Sequence, residues 1–169
     1  MEKLTVTIAV HNSGENFDVK LTEIYNKAKQ LFETTGYDHN YFAYISSNFK
    51  SGKVIHIKNE KRLKKEIEEN YENVKVIELY SLIDDFKQAA FDYNVYMRIS
   101  RENMMFTINK SDYSKDLYSA FVSLFKNVYH AGNIEVFELD KREWPLTYVC
   151  KDNDIEYYKT LVVLEKREL

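Results

Sequence analysis

The chain has 169 residues, a formal net charge of -3 and a single cysteine. This length suits one compact domain with a sizeable apolar core, and 44% apolar with 30% charged residues is a globular composition. The small negative charge gives no electrostatic footprint for nucleic acid. No apolar run has the length of a signal peptide or a membrane span. The composition therefore predicts a soluble, cytoplasmic protein without an internal disulfide, binding neither nucleic acid nor membrane.

The first part of the chain, residues 1–80, begins with an alternating strand over residues 4–10. A polar loop then leads to Asp18, a predicted helix N-cap, and Gly36 is the predicted left-handed C-cap. The helix between them is indicated by apolar residues at helical spacing: Leu21, Ile24, Tyr25, Ala28, Leu31 and Phe32.

The rest of this first module reads as a hairpin, a helix and a strand. The hairpin joins residues 41–47 to residues 54–57, and the closing strand covers residues 74–79. The helix over residues 59–70 has a narrow apolar stripe, and its lysines precede its glutamates, which opposes the helix dipole. We expect this helix to be a peripheral, weakly held insertion.

A linking helix is predicted over residues 81–94, because Ser81 and Asp84 have the spacing of a capping box. The second module, residues 95–169, repeats the pattern of the first. Its helix is predicted to run from an Asp112 cap to Gly132. Its strands are predicted at 95–99, 104–108, 134–139 and 160–164. The sequence thus favours one compact domain of 169 residues built from two similar modules.

The second module also resembles a known family. Residues 104–113, a helix ending at Gly132 and the strand from Ile134 resemble the GyrI-like small-molecule-binding domains, which also serve as effector-binding domains of AraC- and MerR-type regulators. The resemblance implies two strand-helix-strand-strand repeats with a ligand cleft between them. By motif position it makes Glu135 the carboxylate that faces a cationic or aromatic ligand, and Tyr113 the tyrosine of the turn. Ser111 and Asp112 depart from the family's Gly-Pro.

Glu135 can also be interpreted from the strand pattern alone. It shares a strand face with Phe137 and Leu139, whereas Ile134 and Val136 point to the opposite face. If the helix covers the Ile134 face, the carboxylate lies among apolar groups, where a cation would gain by meeting it. The alternative is a glutamate that points to solvent from a sheet covered on one side.

Other chemistry-bearing residues give weaker signals. The four histidines lack metal-binding spacing, Cys150 follows an apolar stretch that is typical of a buried, inert thiol, and no glycine-rich phosphate loop is present. We therefore predict no metal, no cofactor and no catalytic residue.

These observations predict an α+β fold of two tandem strand-helix-strand-strand modules, with antiparallel sheets and a central cleft. The predicted function is non-enzymatic binding of a small cationic or aromatic molecule in that cleft. An immunity- or antitoxin-type protein that neutralises a protein partner is the alternative, and a hydrolase of small reactive molecules stays open through the resemblance. Besides Glu135, the predicted ligand contacts are rings: Tyr44, Phe106, Tyr113, Phe137 and Trp144.

Overall fold

The computed structural model describes residues 3–14 and 20–169. The strands of this part of the chain are β1 (Leu4–Asn12), β2 (Tyr41–Ser46), β3 (Ile55–His56), β4 (Val74–Leu82), β5 (Tyr93–Ser100), β6 (Asn103–Asn109), β7 (Ala131–Asp140) and β8 (Val162–Glu168). Its α-helices are α1 (Leu21–Thr35), α2 (Glu60–Asn70), α3 (Lys115–Phe125) and α4 (Pro145–Val149). Among the described residues, no helix is both long enough and apolar enough to span a bilayer.

All eight strands form one antiparallel sheet in the order β3-β2-β4-β5-β6-β1-β7-β8. The central strands β1 and β6 pair directly, and the hydroxyl groups of Thr7 and Thr107 form a hydrogen bond of 2.8 Å across this pair. The α+β class is confirmed. The strands of the two predicted modules interleave, since β1 lies between β6 and β7, and an internal duplication stays a prediction.

Side-chain alternation gives the sheet two buried faces. On β1, Val6, Ile8 and Val10 join the core beneath α1, α2 and α3, on what we call the helix face. Ala9 points to the opposite side, the rear face, and joins a second apolar cluster. Two largely irregular segments cover the rear face, residues 83–92 and 141–161, the second of which contains α4.

The predicted ends of the two repeat helices, α1 and α3, have different outcomes in the structure. Gly36 adopts a φ of 76° after α1, which confirms the predicted left-handed cap; the predicted N-cap Asp18 lies outside the described residues. The predicted ends of the other helix are wrong. Ser114 caps α3 through a bond from the Leu117 amide (3.1 Å), and Gly132 lies in β7. A Cβ on Gly132 would lie 3.1 Å from the Ser13 backbone, so this glycine serves a close approach.

The predicted linking helix over residues 81–94 is absent. Ser81 and Leu82 instead continue β4, and turns lead to β5. The backbone at the end of β4 is bound by the Asn40 side chain, which accepts from the Leu82 amide (2.8 Å) and donates to its carbonyl (2.9 Å). The turn is closed by the Asp92 carboxylate, which accepts from two backbone amides. These side chains satisfy backbone groups that a helix would have paired internally.

The predicted hairpin is confirmed, since Tyr41 pairs with His56 across β2 and β3. The helix predicted over residues 59–70 is α2, and its Leu63 and Ile67 are buried in the helix-face core. The sequence predicts an apolar stripe of Leu63, Ile67 and Tyr71, but Tyr71 lies beyond the helix and is 47% exposed. The weak attachment expected for this helix stays a prediction.

Candidate functional site

Two glutamates lie in one cross-strand row of the rear face. Glu78 on β4 pairs with Arg98 on β5, and Glu135 on β7 pairs with Lys166 on β8. The central strands β6 and β1 separate the two pairs. The rear face therefore has two places where a carboxylate meets apolar and aromatic side chains.

At the first place, the Glu135 carboxylate is enclosed by the protein. Its side chain is 3% exposed, and the Tyr148 hydroxyl of α4 donates a short hydrogen bond to Oε1. Lys151 Nζ lies 3.7 Å from Oε2 and 4.5 Å from the centre of the Tyr148 ring. Burial and the bond to Glu135 raise the pKa of Tyr148. The predicted face of Glu135 is thus correct, and on that face the carboxylate already has a donor and a cation.

At the second place, Glu78 borders a cavity of about 320 Å³, including the space open to solvent. The cavity lies between the sheet and the two rear segments, and the second segment supplies Trp144, Pro145 and Leu146. The space enclosed within the cavity is about 40 Å³, well below the range of small-molecule pockets of about 300 to 1,000 Å³, and it has room for an ammonium group or a few waters. The remaining lining residues are Tyr80, Ala90, Tyr93, Tyr96 and Met105.

Two phenols hold the Glu78 carboxylate. The Tyr96 hydroxyl donates to Oε1 at 2.6 Å, and the Tyr80 hydroxyl donates to Oε2 at 3.1 Å. Burial raises the pKa of both tyrosines most, and the neighbouring Glu78 charge raises it further. Both tyrosines therefore keep their protons at neutral pH. The three groups therefore form a hydrogen-bonded cluster that lines the cavity.

The Glu78 charge has no ion-pair partner among the described residues. Arg98, its cross-strand neighbour, donates from Nη1 to Asn103 Oδ1 at 3.2 Å. The Arg98 charge acts on Tyr80 and Tyr96 but forms no ion pair with Glu78, and a half-buried carboxylate among tyrosine rings without a direct ion pair attracts positive charge. This is the principal difference from Glu135.

Trp144 stands at the edge of this cavity in an unusual backbone conformation. Its φ is 57°, and 43% of the residue is exposed. For a bulky side chain this conformation costs about 1–3 kcal/mol and persists only when the surroundings hold it. The Thr147 amide and hydroxyl both donate to the Trp144 carbonyl, at 3.0 and 2.9 Å. The fold thus maintains a strained residue where an aromatic ring lines the cavity.

Tyr93 is fixed by a buried cation. Lys141 is 5% exposed, and its Nζ donates to the Tyr93 carbonyl at 2.6 Å and to Asn109 Oδ1 at 3.1 Å. The same nitrogen lies 4.3 Å from the centre of the Tyr93 ring. Burial lowers the pKa of Lys141 to about 8.

The six predicted site residues do not line one cavity. Tyr44 and Phe106 are buried in the helix-face core, and Tyr113 packs against it. Glu135 and Phe137 come together at Tyr148, whose ring centre lies 4.5 Å from that of Phe137. Of the six, Trp144 lines the cavity beside Glu78.

Glu78, Tyr80 and Tyr96 are not among the predicted site residues. The sequence pattern that could have identified them is alternation along two neighbouring strands. Glu78 and Tyr80 are two residues apart and share a face of β4, and they pair across strands with Arg98 and Tyr96 of β5. The predicted strand ends at residue 79, whereas β4 continues to Leu82, so the pairing of Tyr80 with Tyr96 does not follow from the predicted strand bounds.

No cluster of histidine, cysteine and carboxylate side chains that could hold a metal ion occurs within residues 3–14 and 20–169. Comparisons with protein-family models, curated proteins and solved structures find no match for this chain. The resemblance to GyrI-like domains therefore stays a prediction.

Proposed function

We propose that this protein binds a small organic cation in the cavity beside Glu78, without catalysing a reaction. One observation carries the proposal. The Glu78 carboxylate is held by two tyrosine hydroxyls and lacks an ion-pair partner among the described residues, and it borders a cavity walled by aromatic rings. A cation placed there gains both a charge-assisted bond and contact with ring faces.

The cavity lining has few side chains that could act as a nucleophile, acid or base, which supports binding rather than catalysis. The nine residues around the cavity include no histidine, cysteine, serine, threonine or lysine. An acid or base could come only from Glu78 and the tyrosines, whose raised pKa values disfavour ionisation at neutral pH. The cavity lies between sheet and cover, so the proposal does not depend on an internal duplication or on a cleft between two modules.

The test is a thermal-shift screen of amines and their neutral isosteres. We expect small aromatic amines such as phenethylamine to raise the melting temperature of the parent protein, and the corresponding alcohol to raise it much less. Glu78→Gln keeps the shape of the side chain and removes its charge, and it should abolish most of the shift. Glu102→Gln, at an exposed glutamate of the β5–β6 turn, is the matched control. A shift that survives in Glu78→Gln, or no shift with any cation, contradicts the proposal.

The alternative, a protein that neutralises a protein partner, has a different observation in its favour. Strand β8 is an edge of the sheet, and its Val162, Val163 and Leu164 are 51%, 43% and 48% exposed. Exposed apolar residues on a free edge suit the addition of a partner strand. This alternative predicts that no amine stabilises the protein, so the same screen separates the two functions.

A further inference from the structure

The hydrogen bonds among Glu78, Tyr80 and Tyr96 indicate which kind of cation this cluster can bind. This step rests on the proposed function. The Tyr96 and Tyr80 hydroxyls each have one proton, and both protons are donated to Glu78. What the cluster can still offer a ligand is the remaining lone pairs of the carboxylate and of the two phenol oxygens. These are acceptors only.

Acceptors at three neighbouring positions suit a group that donates several hydrogen bonds. A primary ammonium has three donors on one nitrogen, which matches a carboxylate flanked by two phenol oxygens. A quaternary ammonium has the same charge and no donor, so it would leave these lone pairs unpaired in a partly desolvated site. The Tyr93 hydroxyl, which forms no hydrogen bond with another described group, can donate or accept and does not change this preference.

The rest of the cavity limits the body of the ligand. Met105, Pro145 and Leu146 supply apolar contact, and the Tyr93 and Trp144 rings supply aromatic faces. The volume of about 320 Å³ includes space open to solvent, so the enclosed part is smaller. The enclosed part, about 40 Å³, has room for the ammonium group and not for an aromatic ring, so the body of the ligand must extend outward along Trp144, which is 43% exposed.

We infer that the ligand is a protonated primary amine on a small aromatic or branched apolar body, with its ammonium on Glu78 and the oxygens of Tyr80 and Tyr96. The geometry assigns charge recognition to Glu78. It assigns the choice among cations to the two tyrosines.

The experiment is calorimetry with three matched probes: phenethylamine, its trimethylammonium analogue and phenethyl alcohol. The primary amine should bind the parent protein at least about tenfold more tightly than the trimethylammonium compound, and the alcohol should bind most weakly. Binding of the primary amine should fall as the pH rises past the pKa of the amine itself.

Tyr96→Phe separates the inference from the proposed function, because it keeps the ring and the Glu78 charge and removes one phenol oxygen together with its hydrogen bond to Glu78. The freed carboxylate lone pair is available to both cations, so the ratio of their affinities is the readout. We expect this variant to bind the primary amine about three- to tenfold more weakly, with the trimethylammonium affinity changed much less. If the parent binds the trimethylammonium compound as tightly as the primary amine, the inference is wrong and cation binding stands. If neither cation binds, or both bind Glu78→Gln as tightly as the parent, the proposed function is wrong as well.

Discussion

The two glutamates of the rear face share a row of the sheet and differ in what surrounds them. Glu135 is enclosed, accepts from Tyr148 and has Lys151 beside it. Glu78 is half-buried, accepts from Tyr80 and Tyr96, and has no ion-pair partner in the described part of the chain. The comparison teaches that a buried carboxylate is not by itself a sign of a ligand site. At Glu135 the protein supplies both a hydrogen-bond donor and an ion-pair partner, whereas at Glu78 it supplies donors, and the neighbouring Arg98 forms no ion pair.

The largest expected effect concerns packing around the two sites. Phe137→Ala, beside Tyr148, should lower the free energy of unfolding by about 3–5 kcal/mol, because Phe137 is fully buried. Trp144→Gly, at the cavity beside Glu78, should change it by less than about 1 kcal/mol, since lost ring contacts are offset by relief of backbone strain. Urea unfolding of both variants measures the difference. Equal losses would show that the Trp144 ring serves the fold, as Phe137 does.

The second prediction compares the tyrosine donors. Tyr148→Phe removes the hydroxyl that binds an enclosed carboxylate, and it should cost about 1–3 kcal/mol of stability, the penalty of a buried group that loses its partner. Tyr80→Phe should cost less, because Glu78 is half-buried and water can replace the lost donor. Chemical denaturation of the two variants at neutral pH provides the measurement. A larger loss in Tyr80→Phe would contradict the assignment of Glu135 as the structural carboxylate.

The third prediction uses the buried Lys141 beneath the cavity wall. Its folded-state pKa is about 8 and its ordinary value is 10.5, so between these values the unfolded chain binds more protons and stability rises with pH. We expect a gain of about 1–2 kcal/mol as the pH is raised above 8. Two kinds of group oppose this gain: burial raises the pKa of Cys150 above its ordinary value of 9.0, so the unfolded chain loses that proton first, and the tyrosines of the unfolded chain do the same near 10.

Lys141→Met is the control for this pH dependence. It removes the titrating amine and keeps a side chain of similar length, so the rise in stability above pH 8 should disappear from unfolding curves. If the stabilities of the parent and Lys141→Met change in parallel between pH 8 and 9, Lys141 stays protonated there, held by Tyr93 and Asn109, and the prediction is wrong.

The smallest expected effect concerns Lys151, the cation at Glu135. Its side chain is 58% exposed and its Nζ lies 3.7 Å from the carboxylate, so solvent screens much of the attraction. Lys151→Met should lower stability by less than about 1 kcal/mol, and added salt should reduce the difference from the parent. Thermal unfolding at two salt concentrations tests this. A loss above 2 kcal/mol would make Lys151, rather than Tyr148, the main partner of Glu135.

Strand periodicity made much of the fold predictable. The alternating residues of β1 and β7 identified both faces of the sheet, and the helical spacing between Leu21 and Phe32 identified α1 with its Gly36 cap. Local signals failed where tertiary partners replaced them. Ser81 resembled a helix cap, but pairing of β4 with β5 and the Asn40 side chain kept this segment in a strand.

The candidate site was less predictable, because it depends on contacts between distant segments. The exposure of Glu78 depends on where residues 141–161 cross the rear face, and no local pattern encodes that path. Glu135 could be assigned to the correct face. Its enclosure could not, since it depends on Tyr148 of α4, thirteen residues later in the chain.

The most direct test of the difference between the two glutamates is calorimetric titration of phenethylamine into the parent protein, Glu78→Gln and Glu135→Gln. We expect Glu78→Gln to weaken binding by about ten- to a hundredfold, the scale of a lost charge-assisted hydrogen bond, and Glu135→Gln to change it by less than about twofold. Circular dichroism of each variant confirms that the fold is retained. Equal affinity of Glu78→Gln and the parent, or a loss confined to Glu135→Gln, would contradict the assignment of Glu78 as the carboxylate that receives the ligand.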